Sequence, residues 1–371
     1  MEKQKLILPK IQLGNTGHHV SRLALGGFHQ VEISSEIVEN VVNRFQDYGG
    51  NYIETARSYG DGASEKKLGK VLEGRRDQFV LCSKSGADNA DDIRRDIDAT
   101  LTNLKTDHIE FYYFHGVPDK EKLNKILAPK GALEGMLKAK DEGLIGGIGL
   151  SSHYLPMYIE GMTKLPIDLI LIWCNYLEDL YLPEIQEDIF PFAREKNIGI
   201  TAMKPLGDGF LYRSPTQAMR YAMSNNPDVL VCGMNSVQHV DEAVEAICQG
   251  PMTSAEGKTL LAEAPELGKY VCRQCGNCSP SLKELFRLEG YVDRQMIDYL
   301  EHNPADYALR LRLSPWFSLK EKAISIFKEK KWDEQKLKDE AGTVSCPYDI
   351  DVPRKTRLTL AKLNGGNADI I

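Results

Sequence analysis

Short apolar runs recur along the first 250 residues, each followed by a stretch where apolar and charged residues alternate at helical spacing. The runs fall at residues 23–27, 52–54, 79–81, 109–114, 145–150, 167–172, 198–203 and 229–232. Stretches such as 34–48 and 91–104 carry the helical period between them. A strand that is apolar throughout must be buried on both faces, which is the condition of a parallel sheet. Eight such units in series predict an α/β fold, a (β/α)8 TIM barrel. A doubly wound open sheet competes with it. That alternative lacks a Gly-x-Gly-x-x-Gly after the first strand, and polar functional groups follow several strands instead of one switch point. Ahead of the barrel, residues 5–20 predict a β-hairpin with arms at 6–8 and 11–13 and a turn at 14–17. Beyond Pro251 the pattern becomes helical and charged, with helices expected at 293–302 and 319–340, another after Cys346-Pro347, and a frayed tail at 365–371. The expected division is a barrel over residues 1–255 and a small, mainly helical domain over 256–371.

The polar residues at the strand ends carry the chemistry. The run at 52–54 ends in Glu54, and Tyr59 follows within one short turn. The third run leads into Lys84 and the fourth into His115. In a (β/α)8 barrel the C-terminal strand ends form the active face. A carboxylate, a phenol, an amine and an imidazole gathered there make a proton-transfer set. A phenol of ordinary pKa, about 10, exchanges protons poorly at neutral pH. A neighbouring ammonium favours the phenolate and lowers that value.

Composition narrows the partners. A net charge of −7 argues against nucleic acid. No run of roughly eighteen apolar residues is available to span a membrane. The first ten residues hold too short an apolar core for a secretory signal, so a reducing cytoplasm is expected. Of the eight cysteines, Cys82, Cys174, Cys232 and Cys248 stand singly among apolar residues and read as small core side chains. The other four read as a metal site.

Several motifs occur in a specific order: Leu13-Gly-x-Thr-Gly-x-x-Val20, Asn51-x-x-Glu-Thr-Ala-x-x-Tyr59-Gly, Ser64-Glu-x-x-Leu-Gly69, Lys84 and His115. Gly149-Leu-Ser151-Ser152, Lys204-Pro-Leu-Gly207 and Gly233-Met-Asn-Ser236 follow. Together they resemble the aldo-keto reductases, end to end across the barrel. The resemblance implies hydride transfer between NADP or NAD and a small-molecule carbonyl or alcohol. It places the catalytic set on Tyr59 as acid or base, Lys84, His115 and Glu54, with Glu where the family usually has Asp. It places the nucleotide on Gly27, Phe28, Ser151, Ser152, Met203, Lys204, Leu206, Gly207, Gly233, Ser236, His239 and Glu242. Leu171 stands where many members have glutamine, Met203 where many stack a tyrosine, and Ser152 where asparagine is usual. The positions that usually fix a 2′-phosphate hold Asn235 and His239, which leaves NADP and NAD both open.

Cys272-x-x-Cys275-x-x-Cys278 is the other specific signal. Three thiolates so spaced wrap one cubane, whereas zinc sites use separated Cys-x-x-Cys pairs. The position three beyond Cys278 is Leu282, but Cys346-Pro347 supplies a distant fourth cysteine. The set Cys272, Cys275, Cys278 and Cys346 resembles a ferredoxin-like extension reduced to one [4Fe-4S] cluster, with zinc the alternative. Such a cluster is a structural staple, part of a substrate wall, or an electron carrier with an outside electron-transfer partner. The expected function is an NAD(P)-dependent carbonyl reductase or alcohol dehydrogenase acting on an aldehyde, ketone or sugar. The alternative is a nicotinamide-nucleotide-binding regulatory or electron-transfer module.

Overall fold

The computed structural model describes residues 6–293 and 319–365. Eight parallel strands close into a barrel: β3 (Leu23–Gly26), β4 (Tyr52–Glu54), β5 (Val80–Ser85), β6 (Ile109–Phe114), β7 (Ile145–Ser151), β8 (Leu169–Trp173), β9 (Gly199–Met203) and β10 (Val229–Gly233). Each pairs with the next, and β10 returns to β3 with Leu230 opposite Leu23 and Gly233 opposite Gly26. Every barrel strand expected from the pattern is present. The shifts are at the boundaries, and β5 runs on through Lys84.

The hairpin exists with different arms. β1 (Lys10–Gln12) pairs antiparallel with β2 (His19–Ser21), so the expected arm at 6–8 is not a strand. Pro9 lacks the N–H that would extend a ladder through it. Leu8 instead donates its amide to the Tyr48 carbonyl at 2.8 Å. Leu13 and Val20 of the hairpin join the inward layer formed by Ala24, Tyr52, Phe111, Leu169 and Val229, closing the N-terminal end of the barrel. The C-terminal strand ends stay available for chemistry.

The chain divides into two compact units. One comprises residues 1–174, 184–205 and 219–251, and holds the barrel. The other comprises 175–183, 206–218 and 252–371. Within the second, the helices Pro280–Asp293, Lys320–Lys330, Glu334–Ala341 and Val352–Leu363 pack around Leu282, Phe286, Ala323, Leu337 and Leu360. The expected single helix over 319–340 is thus two, broken where Lys331 takes a left-handed φ of 48° and Asp333 caps the second. The expected helix at 293–302 and tail at 365–371 lie outside the described residues, save their first positions. Of the four single cysteines, Cys82, Cys174 and Cys232 are buried. Cys248 is only half-buried, its thiol 3.5 Å from the Ile7 carbonyl.

Candidate active site

Glu54 is the last residue of β4, and the chain beyond it stays tied to β5. The Thr55 amide donates to the Cys82 carbonyl at 2.9 Å and the Arg57 amide to the Lys84 carbonyl at 3.0 Å. A turn closed by the Tyr59 amide on the Ala56 carbonyl, 3.0 Å, then brings the phenol back over the barrel end. There Lys84 is fully buried and pairs with the Glu54 carboxylate. Its Nζ donates to the Thr55 carbonyl at 2.7 Å and to Tyr59 Oη at 3.2 Å. Tyr59 Oη lies 3.4 Å from Glu54 Oε1.

His115 follows β6, anchored by its amide on the Ser85 carbonyl at 2.8 Å. Its ring meets Tyr59 edge-on at 5.8 Å between centroids, and Phe28 meets the same tyrosine edge-on at 5.0 Å. All four residues singled out at the strand ends therefore converge on one spot.

The electrostatics of this spot follow from burial. Desolvation drives Lys84 well below an ordinary amine, because nothing but its partners replaces the lost water. The Glu54 carboxylate opposes that effect. His115 is pushed down to about 3, first by burial and then by the charge of Lys84. Its imidazole is neutral at physiological pH, with Nδ1 3.3 Å from Ser58 Oγ.

The residues assigned to the nucleotide come from the ends of β7, β9 and β10, the segments that follow β3, β7 and β9, and the helix after β10. Gly27 is packed so closely that a Cβ would lie 2.6 Å from the Glu54 carbonyl and 2.8 Å from Ser64 Oγ. Gly233 likewise leaves room for the His29 ring. Ser151 and Ser152 are both buried. Ser151 Oγ accepts the Gly116 amide at 2.9 Å, and Ser152 Oγ donates to the Val117 carbonyl at 2.7 Å. Their hydroxyls thus already brace the loop after β6.

Met203, half-buried, ends β9. Lys204 has a left-handed φ of 58° and sets its ammonium 5.6 Å from the Trp173 ring centroid. Ser236 caps the thirteen-residue helix Val237–Gln249, accepting the His239 amide, and Glu242 on that helix accepts from Gln238 at 2.8 Å. A lysine and the N-terminus of a long helix are chemically suited to phosphate. Leu206 and Gly207 belong to the second unit.

Sequence reasoning missed the supports beneath this site. Lys67 Nζ donates to the carbonyls of Gln30, Val31 and Ile33 at 3.1, 2.8 and 2.6 Å, pinning the loop that carries Phe28. Buried Glu65 accepts from Ser83, Thr100 and Asn103 at 2.7 to 2.9 Å. The motif at 64–69 was visible, but not what its charges hold.

In the second unit, Cys272, Cys275, Cys278 and Cys346 all line one cavity of about 20 Å³. Arg273 organises their loop, donating to the carbonyls of Leu261 and Leu267 at 3.1 Å and Gly268 at 2.7 Å. Left-handed turns at Gln274 (φ 53°) and Gly276 (φ 94°) fold the segment back, and the Gln274 amide points to Cys272 Sγ at 3.5 Å. Burial raises the Cys272 thiol and brings Cys278 up to about 11. Among the described residues, no three ligand-type side chains converge closely enough to hold a single ion.

Residues 22–256 match the family model for the aldo/keto reductase family. The chain belongs to that family. It is an NAD(P)-dependent oxidoreductase accordingly. Among similar proteins, an L-galactose dehydrogenase of Arabidopsis thaliana is 25% identical over 297 residues, covering 67% of this chain and 91% of its own. A D-threo-aldose 1-dehydrogenase of a Pseudomonas species is 29% identical over 216 residues, 50% of this chain and 64% of its own. In fold, an aldo-keto reductase from Bacillus halodurans superposes with a TM-score of 0.59 at 22% identity, over 68% of this chain and 94% of its own. One from Klebsiella pneumoniae, solved with NADPH, gives 0.56 at 20% identity, over 69% and 94%.

Proposed function

We propose that the protein interconverts a sugar-like aldehyde or ketone and its alcohol, with Tyr59 as the proton donor or acceptor. The observation that carries this reading is the 3.2 Å contact between Lys84 Nζ and Tyr59 Oη, with the Glu54 carboxylate behind the amine. A nicotinamide nucleotide, NADP or NAD, would supply or accept the hydride at the carbonyl carbon. Lys84 stabilises the phenolate, so Tyr59 gives up its proton to the carbonyl oxygen more readily than an isolated phenol would. Neutral His115 hydrogen-bonds that oxygen and, with Tyr59, forms the site for its developing negative charge. Lys204 and the helix start at Ser236 would hold the phosphates. The sugar class rests on the two dehydrogenase relatives, whose names are those of sugar dehydrogenases.

Tyr59→Phe removes the exchangeable proton and little else. It should cut kcat/KM on an active aldose by about 10²- to 10⁴-fold while nucleotide binding, followed by fluorescence titration, is retained. Unchanged turnover would reject Tyr59 as the acid or base. Tight nucleotide binding by the wild type, with no turnover on any carbonyl or alcohol, would favour a regulatory nucleotide-binding module.

The second unit is proposed to hold one [4Fe-4S] cluster on Cys272, Cys275, Cys278 and Cys346. Their spacing and their shared cavity support this reading. Iron and acid-labile sulfide near four per chain in anaerobically purified protein would agree with it, and a colourless zinc protein would not.

A further inference from the structure

Unlike the amine and the phenol beside it, His115 can carry its proton on either of two atoms. Burial, with the charge of Lys84 added, keeps the ring neutral. A neutral imidazole has one N–H and one bare nitrogen. To hydrogen-bond a carbonyl oxygen that gains negative charge, it must present the N–H. Which nitrogen keeps the proton is set by the partner on the other one.

That partner is Ser58, whose Oγ lies 3.3 Å from His115 Nδ1. Both residues are anchored on the same strand, β5 (Val80–Ser85). The Arg57 amide, just before the serine, donates to the Lys84 carbonyl at 3.0 Å, and the His115 amide donates to the Ser85 carbonyl at 2.8 Å. Just after the serine, the Tyr59 amide closes its turn on the Ala56 carbonyl at 3.0 Å. The chemical type of the partner matters. A carboxylate or a backbone carbonyl at Nδ1 could only accept, and would draw the imidazole proton onto that atom. A hydroxyl can donate, which leaves Nδ1 bare and the proton on Nε2.

We infer that Ser58 is a positioning residue for the reaction: its hydroxyl donates to His115 Nδ1, keeps the proton on Nε2, and so fixes the imidazole as a hydrogen-bond donor to the carbonyl oxygen. The inference rests on the carbonyl–alcohol reading proposed above. No proton leaves the imidazole in this scheme. Tyr59 exchanges the proton that the reaction needs, and the Nε2–H serves as a donor in both directions.

The test uses the full chain carrying nitrogen-15-labelled histidine, with the His115 signals assigned as those missing from His115→Gln. Two-bond nitrogen–proton correlations distinguish the two neutral tautomers. The wild type at neutral pH should show His115 protonated on Nε2. A proton on Nδ1 would overturn the inference, and this readout requires no turnover. Ser58 is exposed, so its truncation should leave the fold intact. Ser58→Ala should give a mixture of tautomers and lower kcat by about 3- to 10-fold, the worth of one ordinary hydrogen bond, with the KM for nucleotide unchanged. Ser58→Thr keeps the hydroxyl and should restore both the spectrum and kcat. A Ser58→Ala enzyme with wild-type kcat would also overturn the inference, while leaving Tyr59 as the acid or base. A fully active Tyr59→Phe enzyme would instead overturn the acid–base reading, and the positioning role of Ser58 with it.

Discussion

Lys84 sits where no water reaches it, and burial alone would drive its proton off. In the proposed mechanism the Glu54 carboxylate, paired with the amine, opposes that loss and so supports Tyr59 as the acid or base. The extra methylene of glutamate, compared with the family's usual aspartate, does not break this chain of contacts, since the carboxylate touches Lys84 and lies 3.4 Å from Tyr59. Glu54→Gln should therefore neutralise Lys84, lower kcat/KM by about 10²-fold or more, and raise the pH midpoint belonging to Tyr59 in alcohol oxidation. Glu54→Asp should keep both activity and midpoint near wild type. A Glu54→Gln profile that overlays wild type would sink this account. The wild-type profile should also lack a midpoint near 6.5, because His115, held at about 3, stays neutral across the working range. At this scale the residue types were legible in the sequence, since Glu54, Lys84 and His115 close or follow apolar runs and Tyr59 lies one turn beyond Glu54. Their burial was not legible, because it depends on side chains from other strands.

Among the elements, the helix Ala63–Val71 explains why a motif so far from the reacting atoms exists. Ser64 donates to the Gly27 carbonyl at 2.8 Å, Glu65 gathers three donors, and Gly69 lies against the end of the helix Ala90–Leu104. A Cβ at Gly69 would lie 2.2 Å from the Asn103 carbonyl oxygen and 2.7 Å from Leu104 backbone atoms. Neither can yield as a flexible side chain would. Gly69→Ala should lower stability by about 1–3 kcal/mol, seen as a reduced Tm. It should also raise the KM for nucleotide, because the same helix carries Lys67 and with it the loop of Phe28. A variant as stable as wild type would show that the two helices can separate at little cost. The barrel strands were readable because a strand buried on both faces must be apolar throughout. The hairpin arms were misplaced because apolar character at 6–8 does not say whether the segment pairs with 11–13 or bonds to Tyr48.

For the molecule as a whole, the second unit owes part of its stability to a titratable group. Burial pushes Glu289 upward, but Lys355 and Lys362 outweigh it and hold the carboxylate well below its usual range. A depressed folded-state pKa contributes stability that is present above the unfolded value, about 4.3, and is lost as pH falls through the lower folded one. Protonating Glu289 would weaken its ion pairs with both buried ammonium groups. Hydrogen exchange in the helices Pro280–Asp293 and Val352–Leu363 should therefore accelerate as pH drops below about 4 toward 2. Glu289→Gln should show fast exchange already at neutral pH. Equal protection at pH 6 and pH 3 would count against the network as a stabilising element. No helix among the described residues is long and apolar enough to cross a membrane.

The order of strands and helices, the polar groups that end three of the strands and the cysteine spacing were all written in the chain, because each depends on residues close together in sequence. Closure of the barrel was needed to set Glu54, Tyr59, Lys84 and His115 within reach of one another, since β4, β5 and β6 meet only through pairing between distant segments. The same holds for Glu289 and the two lysines seven residues apart at 355 and 362. Their spacing, two helical turns, marks one face of the helix, but only packing against a second helix decides that this face is buried against the Glu289 carboxylate.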